Sequence, residues 1–264
     1  MVPTELDLTG RVALVSGAGS PTGIGFATCR ALGKLGAAVA LTATTDRVAD
    51  RVRELRGEGF TATGVTADLT DPAAAEEAVR AAVELGDRLD IVVNNAGMVS
   101  VSDDSAMTGG VDALPYDDWQ HSLRRNLDTA FLLTRAAVPV MRANRWGRIV
   151  MVSSVTGADM AMRRDAAYAA AKAAMAGLVR SLAVDLAAEG ITANAIAPGW
   201  ISTGSQTEDE RRQGISTPAG RSGTAEEVAW PVAWLCTPAA AYLTGQLVTV
   251  DGGNSIAEER APDR

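Results

Sequence analysis

Tyr168 and Lys172 lie four residues apart in a strongly helical run, so their side chains share one helix face. A phenol with a pKa near 10 is a poor acid–base at neutral pH. A cation held beside it favours the phenolate and lowers that pKa, which suits the pair to proton transfer. Alone the pair is common surface decoration, but it has company. A candidate strand, Ile149–Ser153, runs into Ser153-Ser154 shortly before that helix, placing hydroxyls at a strand's carboxyl end. Asn126 sits inside the helical run Tyr116–Ala143, where a polar residue on an inner face needs a partner. Together they offer a donor for a substrate oxygen, a tuned phenol, a cation and a polar anchor. His121 is the only histidine and its setting reads as a helix surface, so neither a histidine triad nor a metal site is expected.

A second group of residues suits phosphate. Strand Val12–Ser16 runs into Gly17-Ala18-Gly19-Ser20-Pro21-Thr22-Gly23-Ile24-Gly25 and then a helix. Glycines let the backbone approach a pyrophosphate, and the helix start offers free N–H groups. The contributors expected are Gly17, Ser20, Gly23, Ile24 and Gly25. At the end of the next strand an NAD site usually carries an acid, but Ala43 occupies that place, followed by Thr44, Thr45, Asp46 and Arg47. Hydroxyls and Arg47 would accept a 2′-phosphate, so the reading favours NADP, with NAD the alternative. Asp46 is expected to cap the following helix. Asp68, beside Leu69, either accepts from an adenine amino group or caps a helix beginning near Asp71. Asn94-Asn95-Ala96-Gly97 ends a fourth strand, and its small residues would let a flat cofactor lie against the backbone; Asn95, Ala96 and Gly97 are the contacts expected.

The elements that must hold these residues alternate. Candidate strands are Val12–Ser16, Ala38–Thr42, Thr61–Thr66, Ile91–Asn94, Ile149–Ser153, Thr192–Ile196 and Leu247–Val250. Helical patterns run near Ile24–Leu35, Asp46–Arg56, Asp71–Leu85, Tyr116–Ala143, Asp165–Glu189 and Ala225–Cys236. Strands separated by helices are βαβ units, which predict an α/β fold: a Rossmann-type, doubly wound parallel sheet of seven strands with helices on both faces. In such sheets ligands sit outside the carboxyl ends of the strands. The segments Val99–Pro115 and Ser202–Gly223 fit no regular element. No linker or internal repeat divides the 264 residues, so a single domain is expected, with a frayed tail at Ala257–Arg264.

Composition narrows the class. With 47% hydrophobic and 21% charged residues the chain is globular, and with 4% aromatics the core must be aliphatic. A net charge of −8 disfavours nucleic acid and anionic membranes as partners. The longest apolar stretch is broken by Lys172, Arg180 and Asp185, so no membrane span is expected, and no secretory signal is visible. Cys29 and Cys236 read as buried free thiols, in keeping with a cytoplasmic location.

The glycine loop, Asn94-Asn95-Ala96-Gly97, Asn126, Ser154, Tyr168-Ala169-Ala170-Ala171-Lys172, Pro198-Gly199 and Val250-Asp251-Gly252-Gly253 together resemble the short-chain dehydrogenase/reductase family, over Leu8 to Gly253. The resemblance implies a tetrad: Ser154 bonding the substrate oxygen, Tyr168 donating the proton, Lys172 binding the nicotinamide ribose while lowering the phenol pKa, and Asn126 holding a relay water. It also implies cofactor contacts from Pro198, Gly199, Ile201 and Thr203, and a homotetramer. Ala43-Thr44 and Pro218-Ala219-Gly220-Arg221 resemble the 3-oxoacyl-carrier-protein reductase-like subgroup, which implies reduction of a small-molecule ketone to a secondary alcohol. The readings set against it are an NAD-dependent alcohol or sugar dehydrogenase and a non-catalytic cofactor-binding sensor. Three features depart from the usual pattern: a glycine loop two residues longer, an expanded Val99–Pro115, and Arg163-Arg164-Asp165 before the tyrosine.

Overall fold

The computed structural model of the chain describes residues 2–97 and 110–258. Its strands are β1 (Val12–Val15), β2 (Ala38–Ala43), β3 (Ala62–Thr66), β4 (Ile91–Asn94), β5 (Gly147–Val152), β6 (Ile191–Pro198), β7 (Ile201–Ser202), β8 (Gly223–Thr224) and β9 (Leu247–Val250). Its α-helices are α1 (Ile24–Lys34), α2 (Arg47–Gly57), α3 (Pro72–Glu84), α4 (Tyr116–Leu123), α5 (Thr129–Asn144), α6 (Val155–Ala158), α7 (Ala166–Leu186), α8 (Glu208–Ile215) and α9 (Ala225–Leu235). α6 is a single turn, broken by Gly157 at φ 96°.

Seven strands form one sheet in the order β3-β2-β1-β4-β5-β6-β9, and every pair is parallel. Strands buried on both faces read as continuous apolar runs, and β1, β4 and β5 are buried along their whole length. On one face Phe26 and Leu32 of α1 pack with Val228 and Val232 of α9 against Val39, Val93 and Val150. On the other, Ala75 and Ala78 of α3, Leu133 and Ala137 of α5, and Met175 and Val179 of α7 cover Leu14, Val92 and Ile149. The many alanines let helices approach the sheet closely, which is how a chain poor in aromatics fills its core. Strand order reverses between β1 and β4, which opens a crevice at their carboxyl ends.

Two stretches differ from the sequence reading. The run Tyr116–Ala143 is helical throughout but not uniformly α: Arg124–Asp128 forms a π turn between α4 and α5. The extra residue in such a turn shifts the helix face, and the turn carries the buried Asn126. The segment Ser202–Gly223 is not irregular. It contains α8, and β7 pairs with β8 across it. Thr207 and Glu210 form a capping box at the start of α8, a signal readable from the sequence but masked by the helix's lack of an apolar face. Of the expected loop Val99–Pro115, residues 99–109 lie outside the described residues, as do residues 259–264 of the tail. Cys29 and Cys236 are buried free thiols. No helix among the described residues is long and apolar enough to cross a membrane.

Candidate active site

The phosphate end is built where β1 and β4 finish. Ser16 Oγ accepts from the backbone N–H groups of Asn95 and Ala96, both at 2.9 Å. In return Asn95 Nδ2 donates to the carbonyls of Ser16 (3.0 Å) and Gly17 (3.1 Å). The β4 turn and the glycine loop are therefore clamped together. This clamp leaves no room for side chains: a Cβ on Gly17 would lie 2.8 Å from Ala96 Cα, and one on Gly25 would lie 2.5 Å from Asn95 Nδ2. Gly17 also has φ +66°, a left-handed conformation natural to glycine. α1 starts at Gly23 with no side chain capping it, and Ser20 packs beneath Gly23, accepting its N–H at 3.3 Å. An uncapped first turn at Ile24 and Gly25, beside a loop in which Gly17, Gly19 and Gly23 present bare backbone, fits a pyrophosphate. The longer loop has a visible use, because Thr22 Oγ1 accepts from Gly204 N at 2.9 Å and ties the cradle to the segment after β7.

At the end of β2, Ala43 is buried and Thr44 is exposed. Arg47 is held beside them by an Nε donation to Thr45 Oγ1 at 3.0 Å. Asp46 does occupy the residue before α2, but its side chain makes no capping bond and its backbone is already helical. The expected cap is therefore absent: an N-cap carboxylate reaches the helix N–H groups only from an extended backbone. Asp68 caps nothing either; that role falls to Asp71, which accepts from Ala73 N at 3.0 Å. Asp68 is exposed and holds Thr70 through its Oδ1, while Leu69 is buried beneath it.

The reacting end gathers on α7, the end of β5 and the π turn. Ser153 lies just beyond β5, and its hydroxyl is consumed by the carbonyl of Lys172 at 2.8 Å, so it anchors α7 rather than facing the crevice. Ser154 is partly exposed, lies beside the Tyr168 phenol and favours its ionised form, and accepts from Thr156 N at 3.1 Å. Lys172 is 2% exposed; its ammonium donates to the Val152 carbonyl at 3.0 Å and lies 5.6 Å from the centre of the Tyr168 ring. Burial pushes Lys172 down to about 8. Asn126 is 1% exposed, donates through Nδ2 to Ser122 O at 3.1 Å, and keeps Oδ1 buried without a partner. Gly97 abuts it, since a Cβ there would lie 2.8 Å from Asn126 Oδ1.

The phenol itself departs from expectation. Burial pushes Tyr168 up to about 12, the Ser154 hydroxyl opposes this, and the carboxylates of Asp165 and Glu210 push it further up. Lys172 does not lower it here, because its ammonium is turned to the Val152 carbonyl. The remaining cofactor contacts expected lie at the end of β6. Gly199 N donates to Val250 O at 3.0 Å, and a Cβ on Gly199 would lie 2.6 Å from that of Asp251, which explains the glycine after Pro198. Beyond it Thr203 N closes on Ile201 O at 3.0 Å, and the Thr203 hydroxyl meets that of Ser205 at 3.0 Å. His121 is exposed on α4, and no cluster of metal ligands occurs among the described residues. Sequence reasoning missed the clamp by Ser16 and the carboxylate of Glu210, and noted Asp165 only as an unusual residue before the tyrosine. A serine ending the first strand was the available sign of the clamp.

Comparison with known proteins agrees with this geometry. Residues 17–255 match a family model described as Enoyl-(Acyl carrier protein) reductase. The chain is 38% identical to the 3-oxoacyl-[acyl-carrier-protein] reductase FabG of Escherichia coli, over 94% of this chain and 98% of that protein. It is 36% identical to oxidoreductase UcpA of Escherichia coli, over 95% and 97% respectively. A solved structure of 7α-hydroxysteroid dehydrogenase with NADH and 7-oxo glycochenodeoxycholic acid superposes with a TM-score of 0.87 at 30% identity, covering 96% of this chain and 98% of that one. Sheet order, glycine cradle and near full-length kinship converge, and the chain belongs to the short-chain dehydrogenase/reductase family, as an NAD(P)-dependent oxidoreductase acting on CH–OH and C=O groups.

Proposed function

We propose that this chain is an NADP(H)-dependent ketoreductase in which Tyr168 donates the proton. The observation that carries the reading is the Tyr168 phenol beside the Ser154 hydroxyl, with a buried ammonium 5.6 Å from its ring, near the crevice where strand order reverses. Ser154 orients the substrate oxygen. Tyr168 passes its proton to that oxygen as the carbon gains a hydride, and the Ser154 hydroxyl, which favours the ionised phenol, steadies the charge left behind. The nicotinamide nucleotide supplies the hydride when bound. The buried acceptor Asn126 Oδ1 holds a water on the route that returns a proton to Tyr168. A phenol raised to about 12 stays protonated at neutral pH, as a donor to a ketone oxygen must.

Gly17, Ser20, Gly23, Ile24 and Gly25 hold the pyrophosphate; Asp68 and Leu69 border the adenine; Asn95, Ala96 and Gly97 back the ribose. Pro198, Gly199, Ile201 and Thr203 line the nicotinamide, and Lys172 holds its ribose. Ala43 offers no carboxylate to repel a 2′-phosphate, and exposed Thr44 and Arg47 stand ready to bind one. The substrate is a free ketone rather than a carrier-bound acyl chain: exposed Arg145 is the expected docking residue, but Glu189 opposes an acidic partner and also engages Arg142 at 3.0 and 2.8 Å. Exposed Trp230 and Trp234 on α9 and Val248 on the edge strand β9 suit assembly into a cytoplasmic homotetramer. The test is a panel of ketones and alcohols with NADPH and NADH. Faster ketone reduction with NADPH is expected; turnover confined to alcohol oxidation with NAD would overturn the reading.

A further inference from the structure

The carboxylate of Asp165 has no role in the scheme above. It precedes α7 directly, one turn before Tyr168, and its backbone carbonyl accepts from Ala169 N at 3.0 Å. An aspartate at this position ordinarily bonds the first N–H groups of its helix, but Asp165 makes no such bond. No ion pair or hydrogen bond engages its side chain among the described residues, and its exposed neighbours Arg163 and Arg164 leave it free. It is nevertheless half-buried, enough for burial to push its pKa up to about 6, and close enough to Tyr168 to act on the phenol electrostatically. A half-buried carboxylate is costly without a partner. Among the described residues none supplies one, whereas a ligand seated beside Tyr168 would.

We infer that Asp165 is a substrate-recognition residue whose carboxylate accepts a hydrogen bond from a hydroxyl within two carbons of the ketone. The favoured substrates are then uncharged hydroxy ketones, and the products the matching diols. The second carboxylate near the phenol points to the same class. Glu210 on α8 already spends Oε2 on Thr207, through its N–H at 2.7 Å and its hydroxyl at 3.1 Å. An anionic substrate would face both carboxylates, whereas an uncharged hydroxylated one meets an acceptor. This inference rests on the ketoreductase reading.

The experiment compares α- and β-hydroxy ketones with their deoxy counterparts in wild type, Asp165→Ala and Asp165→Asn. Wild type should favour the hydroxylated member of each pair by roughly tenfold or more in kcat/KM, the scale of a hydrogen bond to a charged group. Asp165→Ala should abolish the preference, with the loss in KM rather than kcat, and Asp165→Asn should improve use of a 3-oxo acid. Calorimetric binding of the diol against the deoxy alcohol reads the same contact without turnover. If no ketone is turned over, the ketoreductase reading fails while the binding ratio still decides Asp165. A preference unchanged in Asp165→Ala, or a wild-type preference for amino ketones over hydroxy ketones, would overturn the assignment.

Discussion

Replacing Lys172 by methionine exchanges a buried ammonium for an apolar chain of similar length, and the stability change can be worked from its surroundings. Burial takes the lysine pKa from 10.5 to about 8. At about 1.4 kcal/mol per unit, holding the charge inside the fold costs about 3 kcal/mol. The 3.0 Å bond to the Val152 carbonyl returns part of this, about 1.5–3 kcal/mol for a charged donor. Lys172→Met should therefore stabilise the nucleotide-free protein by on the order of 1 kcal/mol at pH 7, or roughly 2–4 °C in Tm, while abolishing turnover. The pH dependence gives the gain a signature. Between about 8 and 10.5 the unfolded lysine keeps a proton that the folded one has released, so wild-type stability rises with pH across that window. The advantage of Lys172→Met should shrink accordingly. Denaturant titrations at pH 7 and pH 10 decide the matter. A variant less stable than wild type at pH 7, or a gap that stays constant with pH, would refute the reasoning.

Three further outcomes are expected. Gly25→Ala drives a Cβ to within 2.5 Å of Asn95 Nδ2, so it should break the clamp at Ser16 and Gly17, lower stability by roughly 1–3 kcal/mol and weaken nucleotide binding; thermal melts with and without NADPH read both. Ala43→Asp should reverse the nucleotide preference by bonding the ribose hydroxyls of NADH and repelling a 2′-phosphate, as titration of the two nucleotides into each protein would record. A 3-oxoacyl chain on a carrier protein should be used no better than the same chain on a small thiol; a tenfold higher kcat/KM with the carrier, about 1.4 kcal/mol, would mean that a docking surface exists despite the Arg142–Glu189 pair.

The parallel sheet was legible because its strands are apolar and β-branched and its helices keep their period; β4 and β9 match the expected limits to the residue. Asn126, Ser154, Tyr168 and Lys172 were singled out by their placement on helix and strand end and by the family resemblance, and their roles remain the proposal above. What escaped was whatever depends on direction rather than spacing. The i,i+4 spacing puts Lys172 on the face of Tyr168, but only the structure turns its ammonium to Val152. Composition could not separate Asp71, which caps a helix, from Asp46 and Asp165, which do not. The π turn at Arg124–Asp128 left no mark in the sequence, because α and π segments share the same residues.

The central claim is that Tyr168 delivers the proton, and Tyr168→Phe tests it most directly because the phenyl ring keeps the packing and loses only the hydroxyl. Single-turnover ketone reduction by the enzyme–NADPH complex should slow by roughly 10²–10⁴, with NADPH affinity nearly unchanged. Turnover close to wild type in Tyr168→Phe would contradict the account.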